Sequence, residues 1–282
     1  MASGTDSPLL ADLVPDVYAA WRASEIGAIT EQLQRRLVLG LLGDVRDRRV
    51  LDMGCGDGDL ALELWRRGAV VTGIDASLEM IDAAKARATR EGADVSFMVG
   101  EAASIPFDAE RFDVVVAVTI LCFVADAGPV LREIAGVLRP GGNLVIGELG
   151  KWSLWAAARR IRAWFGSSLW RRGRFRTGGE LRHLASQAGL EPGPVFGSIY
   201  YPRWQPAARL LAPYDKALSR LTTFGAAFLA LSAVKPAHGW DKSAAGFPVM
   251  ATRSRSGMTL GRYSVRESRL VRLPFPGSPN RW

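Results

Sequence analysis

Between residues 48 and 149 the chain alternates two kinds of segment. Apolar runs rich in Val and Ile ("RRVLDMG", "AVVTGIDAS", "VSFMVG", "FDVVVAVTIL", "NLVIGEL") are separated by stretches with helical spacing ("DLALELWRRG", "SLEMIDAAKARATREG", "AGPVLREIAGVL"). The strand-like runs are nearly continuous in apolar residues, the pattern of strands buried on both faces, and helices between successive strands are what parallel pairing requires. The pattern predicts an α/β fold with a doubly wound, Rossmann-like sheet, mostly parallel with an antiparallel last strand.

The flanks complete the organisation. Ile26, Ile29, Leu33, Leu37 and Leu41 recur at helical spacing and predict an N-terminal helical cap over residues 1–48. The main domain runs over 49–236, with a helix over "TGGELRHLASQAGL" closed by Gly189, strands in "GPVFGSIYYPRW" and "TTFGAAFLALSAV", and a helix near "AARLLAPYDKALSRL" between them. Residues 237–282 mix Gly, Pro, Ser and Arg without periodicity, and a disordered basic tail is expected there.

Composition narrows the function classes. With 282 residues, 48% of them hydrophobic, the chain can bury a sizeable core. Two cysteines, Cys55 and Cys122, and two histidines, His183 and His238, offer neither a disulfide framework nor a multi-ligand metal site, so no metal is expected. The N-terminus lacks the basic start and apolar core of a signal peptide, and no apolar run approaches the roughly 18 residues of a membrane span. A cytoplasmic setting is the expectation. The net charge of +8 is unevenly placed: residues 1–150 carry a net −9, whereas residues 151–176 carry eight Lys and Arg and no acid. An acidic body with a basic insert is no general polyanion surface, and no nucleic-acid partner is expected.

"VLDMGCGDGDL", residues 50–60, places Gly54, Gly56 and Gly58 where the first strand hands over to a helix, the usual nucleotide position of an open parallel sheet. The spacing is G-x-G-x-G and not the dinucleotide G-x-G-x-x-G. Asp52, Asp57 and Asp59 surround the loop and would repel phosphate, so a cationic or zwitterionic ligand is expected. Asp75 ends the second strand, where an acid accepts both hydroxyls of a ribose. A ribose without a pyrophosphate, beside an ammonium near Asp52, describes S-adenosylmethionine.

From about Val50 to Ile146 the chain resembles the class I S-adenosylmethionine-dependent methyltransferases, specifically the ubiquinone/menaquinone-biosynthesis type of methyltransferase domain. The resemblance rests on "VLDMGCGDG", "GIDASLEMI", "GEAASIPF", "FDVVVAVTIL" and "VLREIAGVLRPGGNLVI" in that order. It implies Asp52 and the Gly54, Gly56 and Gly58 backbone around the methionine part, Asp75 on the ribose, and Ala76 and Met80 along the adenine. It also implies Glu101 and Ala102 at the adenine edge, with Glu in place of the commoner Asp, and Thr119 at the methionine end. "LCF" stands where relatives often carry a histidine, so no catalytic base is carried over; Tyr18, Glu148 and His183 are the candidates to test. The expected activity is methyl transfer to a small molecule, bulky, apolar or anionic. The alternatives are a cofactor-binding regulatory or scaffold protein without turnover, and a nicotinamide-dependent dehydrogenase, against which the glycine spacing argues.

The insert "KWSLWAAARRIRAWFGSSLWRRGRFR", residues 151–176, follows the fifth strand on the ligand-entry side. As a helix it gathers Leu154, Ala157, Ala158, Ile161, Trp164 and Phe165 on one face, with Arg159, Arg160 and Arg162 beside or opposite. Two readings follow: a surface helix packed on the sheet, or a lid or pocket wall for the acceptor with peripheral membrane contact, since Trp and Arg favour that interface.

Overall fold

The computed structural model describes residues 15–237; the expected tail lies outside them apart from residue 237. Two helices open the described chain, α1 (Pro15–Ala23) and α2 (Glu25–Leu42), the second capped by the Ser24 hydroxyl accepting from the Gly27 amide. The alternating part then runs β1 (Arg49–Met53), α3 (Asp59–Arg66), β2 (Val70–Asp75), α4 (Leu78–Glu91), β3 (Ser96–Val99), β4 (Phe112–Val118), α5 (Ala127–Val137) and β5 (Leu138–Leu149). After β5 come α6 (Leu154–Trp164), α7 (Ser168–Arg172), α8 (Gly178–Gln187), β6 (Glu191–Ser198), α9 (Gln205–Leu211), a 3-10 turn over Ala212–Tyr214, α10 (Asp215–Leu221) and β7 (Phe228–Val234).

The sheet order is β3-β2-β1-β4-β5-β7-β6. β1 pairs parallel with β2 and β4, and β7 runs antiparallel to both β5 and β6, as the patterning predicts. Alternate residues of the central strands feed opposite layers of core: Val50, Val114 and Val116 face α3 and α4, whereas Leu51, Met53 and Val115 pack with Leu131 and Ile134 of α5. Strand order reverses between β1 and β4, so their carboxyl ends open the crevice where such sheets take ligands.

Local differences from the sequence reading have plain causes. The "RPGG" segment does not end a turn before the strand; pairing starts already at Leu138 opposite Phe112, and the register shifts before Val114 to absorb left-handed Gly141. The helix near Ala207 breaks in two at Pro213, which cannot donate to the turn before it. Its second half begins at Asp215, a buried carboxylate that accepts from the Ser198 hydroxyl (2.6 Å) and the Ile199 amide (2.7 Å). Ile199 has a left-handed φ of 66°, costly for a β-branched residue, and Asp215 holds it there.

The insert departs most. It forms two helices separated at Gly166, whose φ of 106° only glycine adopts readily. The apolar face of α6 points outward: Leu154 is 63% exposed, Ile161 54%, Trp164 90% and Phe165 87%. The packed face is Trp155 and Ala156, because the Trp155 indole donates to the Tyr201 carbonyl at 2.8 Å and draws that side inward.

Candidate active site

The loop between β1 and α3 is shaped by three left-handed glycines, with φ of 71° at Gly54, 53° at Gly56 and 79° at Gly58. Their surroundings differ. A Cβ on Gly58 would lie 2.9 Å from both Ala84 and Phe97, so that glycine lets α3 close on α4; a Cβ on Gly56 would meet nothing within 4 Å. Gly56 therefore presents bare backbone to open space. The Gly54 and Cys55 amides donate to the Ile74 carbonyl at 2.8 and 3.0 Å, which fixes the loop beside the end of β2.

Two carboxyls flank this loop. Asp52 is only 2% exposed, and its Oδ2 is buried without a hydrogen-bond partner among the described residues. Burial, then the neighbouring Asp75, pushes its carboxyl up to about 7, against a partial offset from the Ala61 amide in the first turn of α3. Asp75 accepts from the Gly56 amide (2.9 Å) and the Ser77 amide (2.9 Å), and burial raises it as well. The bland role of helix cap falls to Ser77, whose hydroxyl accepts from Met80. An orphaned buried carboxylate beside a second acid, at a bare-backbone loop, fits a ligand that brings a positive charge and hydroxyl donors. A nucleoside sulfonium with an amino-acid tail is such a ligand.

Asp57 and Asp59 correct the sequence reading of the loop as uniformly acidic. Arg87 of α4 binds Asp57 at 2.7 Å and Asp59 at 2.6 Å, Arg22 of α1 pairs with Asp57 and lies 3.5 Å from Asp59, and Arg35 of α2 pairs with Asp59. These three arginines neutralise the two carboxylates and pin the N-terminal cap over the glycine loop. Nothing in the sequence spacing links them; only the fold puts them together.

The remaining expected binding residues gather at the same strand ends. The Gly100 amide donates to the Asp75 carbonyl at 3.0 Å, bringing exposed Glu101 and buried Ala102 beside β2, and Met80 is buried on the first turn of α4 below half-buried Ala76. Thr119 leaves β4 with a φ of 54°, an outlier for a β-branched residue, while its amide donates to the Gly147 carbonyl at 2.7 Å.

Tyr18, Glu148 and His183 are not brought together. Tyr18 stacks on Trp21, and burial, with Glu31 next, drives its phenol far above the usual range. Glu148 is fully buried, accepts from the Leu121 amide (2.7 Å) and the Leu149 amide (3.4 Å), and is raised to about 7 by burial against the pull of Arg176. It ties the loop after β4 to the end of β5. His183 is exposed on α8.

Comparison with known proteins bears on this geometry. Residues 51–146 match a family model described as a methyltransferase domain. A ubiquinone biosynthesis O-methyltransferase of Azorhizobium caulinodans is 31% identical over 175 residues, covering 59% of this chain and 69% of that protein. The chain belongs to the class I S-adenosylmethionine-dependent methyltransferases. Another ubiquinone biosynthesis O-methyltransferase, from Coxiella burnetii, is 32% identical over 107 residues, 38% of this chain, and the match spans less than half (46%) of that protein's length. A Thermotoga maritima crystal structure, titled as a methyltransferase and possible histamine N-methyltransferase, superposes with a TM-score of 0.62 at 22% identity over 81% of this chain and 98% of its own, a likeness of fold. S-adenosylmethionine is the cofactor of this methyltransferase family, and the orphaned Asp52 and open Gly56 are compatible with it.

Proposed function

We propose that this methyltransferase domain, residues 49–236 under a helical cap of residues 1–48, methylates a bulky small molecule that is apolar or anionic. The observation that carries its cofactor half is the buried Asp52 carboxyl, whose Oδ2 has no partner among the described residues, at a left-handed glycine loop with Asp75 beside it. When bound, S-adenosylmethionine supplies a methyl group on an activated sulfonium. Asp52 receives the cofactor's ammonium, and the Gly54, Gly56 and Gly58 backbone approaches its methionine part. Asp75, with its carboxylate already oriented by two amides, receives the ribose hydroxyls. Ala76 and Met80 would line the adenine, Glu101 and Ala102 would read its edge, and Thr119 would contact the methionine end. Transfer then depends on alignment and exclusion of water, which together remove much of such a barrier. No proton-transfer step is assigned to Tyr18, Glu148 or His183: the first holds its proton tightly, the second is sealed in, and the third lies on the outer face of α8.

Calorimetry with S-adenosylhomocysteine and with NAD tests the cofactor reading. The first should bind and the second should not, and Asp75→Ala should weaken binding by about 1–3 kcal/mol through the unpaired ribose hydroxyls. Unchanged affinity in a folded Asp75→Ala protein would remove the ribose assignment. The acceptor itself is sought by incubating a metabolite extract with methyl-deuterated S-adenosylmethionine and identifying the labelled product by mass spectrometry.

The outward stripe of α6 supports a second element of this reading, peripheral contact with an anionic membrane surface. Leu154, Ile161 and Phe165 share the exposed face, and Arg160 and Arg162 are exposed on the same helix. No helix among the described residues is long and apolar enough to cross a membrane. Flotation with anionic liposomes should recover the wild type, and an Ile161→Ser/Phe165→Ser protein should lose most of that binding while keeping its cofactor affinity. Equal flotation of the two would leave the stripe without this role.

A further inference from the structure

The loop that leaves β4 at Thr119 passes through Phe123, and the insert is tacked onto it: the Arg174 amide donates to the Cys122 carbonyl at 2.9 Å. Around that point aromatic rings and guanidinium groups interleave. Arg159 lies 4.5 Å from the centre of the Trp170 ring and 5.4 Å from that of Trp155, and Arg203 lies 5.9 Å from the same Trp155 ring. Trp170 in turn neighbours Phe123 at 6.5 Å and Phe175 at 6.3 Å. Trp155 is locked by its bond to the Tyr201 carbonyl, so two guanidiniums are held against one immobile indole.

Nothing supplies the opposite charge. Among the described residues no carboxylate comes within ion-pair distance of Arg159, Arg162 or Arg203, whereas Arg22, Arg35 and Arg87 at the glycine loop are each paired. Burial, with Arg203 and Arg162 adding repulsion, pushes Arg159 down to about 10, and Arg203 is lowered too. Like charges gathered against aromatic faces, half out of water, are unfavourable unless an anion joins them. Guanidinium planes also accept a carboxylate in bidentate fashion, a geometry that lysine does not offer.

We propose that Arg159 and Arg203, set against Trp155 and beside Trp170, form the specificity site that receives the carboxylate of a planar aromatic methyl acceptor. The inference rests on the methyltransferase reading and deepens it. The half-buried rings of Trp170, Phe123 and Phe175 take the acceptor's plane, the arginines, braced on buried Trp155, take its charge, and Cys122, whose Sγ lies 3.3 Å from the Thr119 carbonyl, ties this wall to the end of β4.

The test uses the full chain saturated with S-adenosylhomocysteine, with 2-naphthoate as probe and its uncharged isostere 2-naphthamide as control, read by calorimetry. The wild type should prefer the carboxylate by about tenfold or more, as expected for a charge-assisted pair of bonds. Arg203→Gln, on an exposed side chain that folding does not need, should cut that preference several-fold, and Arg159→Gln/Arg203→Gln should abolish it, both with unchanged adenosylhomocysteine affinity. Equal binding of carboxylate and amide, no binding of either, or a preference that survives in Arg203→Gln would overturn the proposal while leaving the cofactor site standing. Failure to bind adenosylhomocysteine at all would instead overturn the methyltransferase reading on which it rests.

Discussion

Asp52→Asn should weaken S-adenosylmethionine binding by about 2–4 kcal/mol, roughly 30- to 1,000-fold, because it deletes the buried negative charge that meets the ligand's ammonium. The same change should raise the stability of the ligand-free protein above pH 7, where the native carboxyl is ionised and buried with its Oδ2 unpartnered. That opposition between affinity and stability marks a group kept for binding. The pH dependence follows from the raised carboxyl. Held at about 7 in the free fold, against an ordinary value of 3.8, Asp52 keeps its proton where an unfolded chain has lost it. Its contribution to stability is therefore greatest below the unfolded value and declines as pH rises from near 4 to near 7. Ligand binding runs the other way: it needs the ionised form, so affinity should fall by up to about tenfold per unit as pH drops below 7, and flatten above. Calorimetric titration between pH 5.5 and 8.5, with thermal unfolding on the same samples, reads both trends. A flat affinity profile in the wild type, or one that persists in Asp52→Asn, would take the ammonium away from Asp52.

Asp215→Ala carries the largest expected loss of stability. It removes in one step the acceptor of the Ser198 hydroxyl and of the Ile199 amide, both buried, and frees a left-handed isoleucine. Two stranded donors and a relaxed backbone together should cost about 2–4 kcal/mol, and for a domain of this size the melting temperature should drop by roughly 5–15 °C. Ile199→Gly placed on top of Asp215→Ala should recover part of that, since glycine adopts the left-handed conformation without the steric penalty. If the melting temperature of Asp215→Ala matched the wild type, the carboxylate would be a passenger. The consequence reaches the acceptor wall, because Tyr201, two residues on, holds Trp155 by its carbonyl and meets Thr30 of the cap at 3.0 Å.

The parts of this architecture that the sequence made legible are those encoded locally. Gly54, Gly56 and Gly58 declare a left-handed loop by themselves, and Ser77 and Gly92 close α4 with chemistry that acts within four residues. Asp75 falls at a fixed step beyond the loop because β2 must end level with β1. The parts that stayed hidden depend on partners remote in sequence. Arg22 and Asp57 are 35 residues apart, and Trp155 and its carbonyl partner 46. Periodicity also showed that α6 has two faces without showing which turns inward, so the packed reading and the lid or membrane reading stood side by side; the fold turns the apolar stripe outward, with Trp155 bonded inward to the Tyr201 carbonyl. Arg159 was legible only as lying beside or opposite the apolar face and Arg203 carried no signal of its own, and only the fold brings both to Trp155.

The arginine cluster over the glycine loop is redundant, and that has a mechanical meaning. Take α1 away and Asp57 still has Arg87 at 2.7 Å, while Asp59 keeps both Arg87 and Arg35. Displacing the first helix would therefore strand neither Asp57 nor Asp59 and would leave the loop's charges balanced on the frame of α2 and α4. A cofactor that must enter, and leave demethylated on every turnover, would pass an opening whose one ionic tie to α1 among the described residues is Arg22.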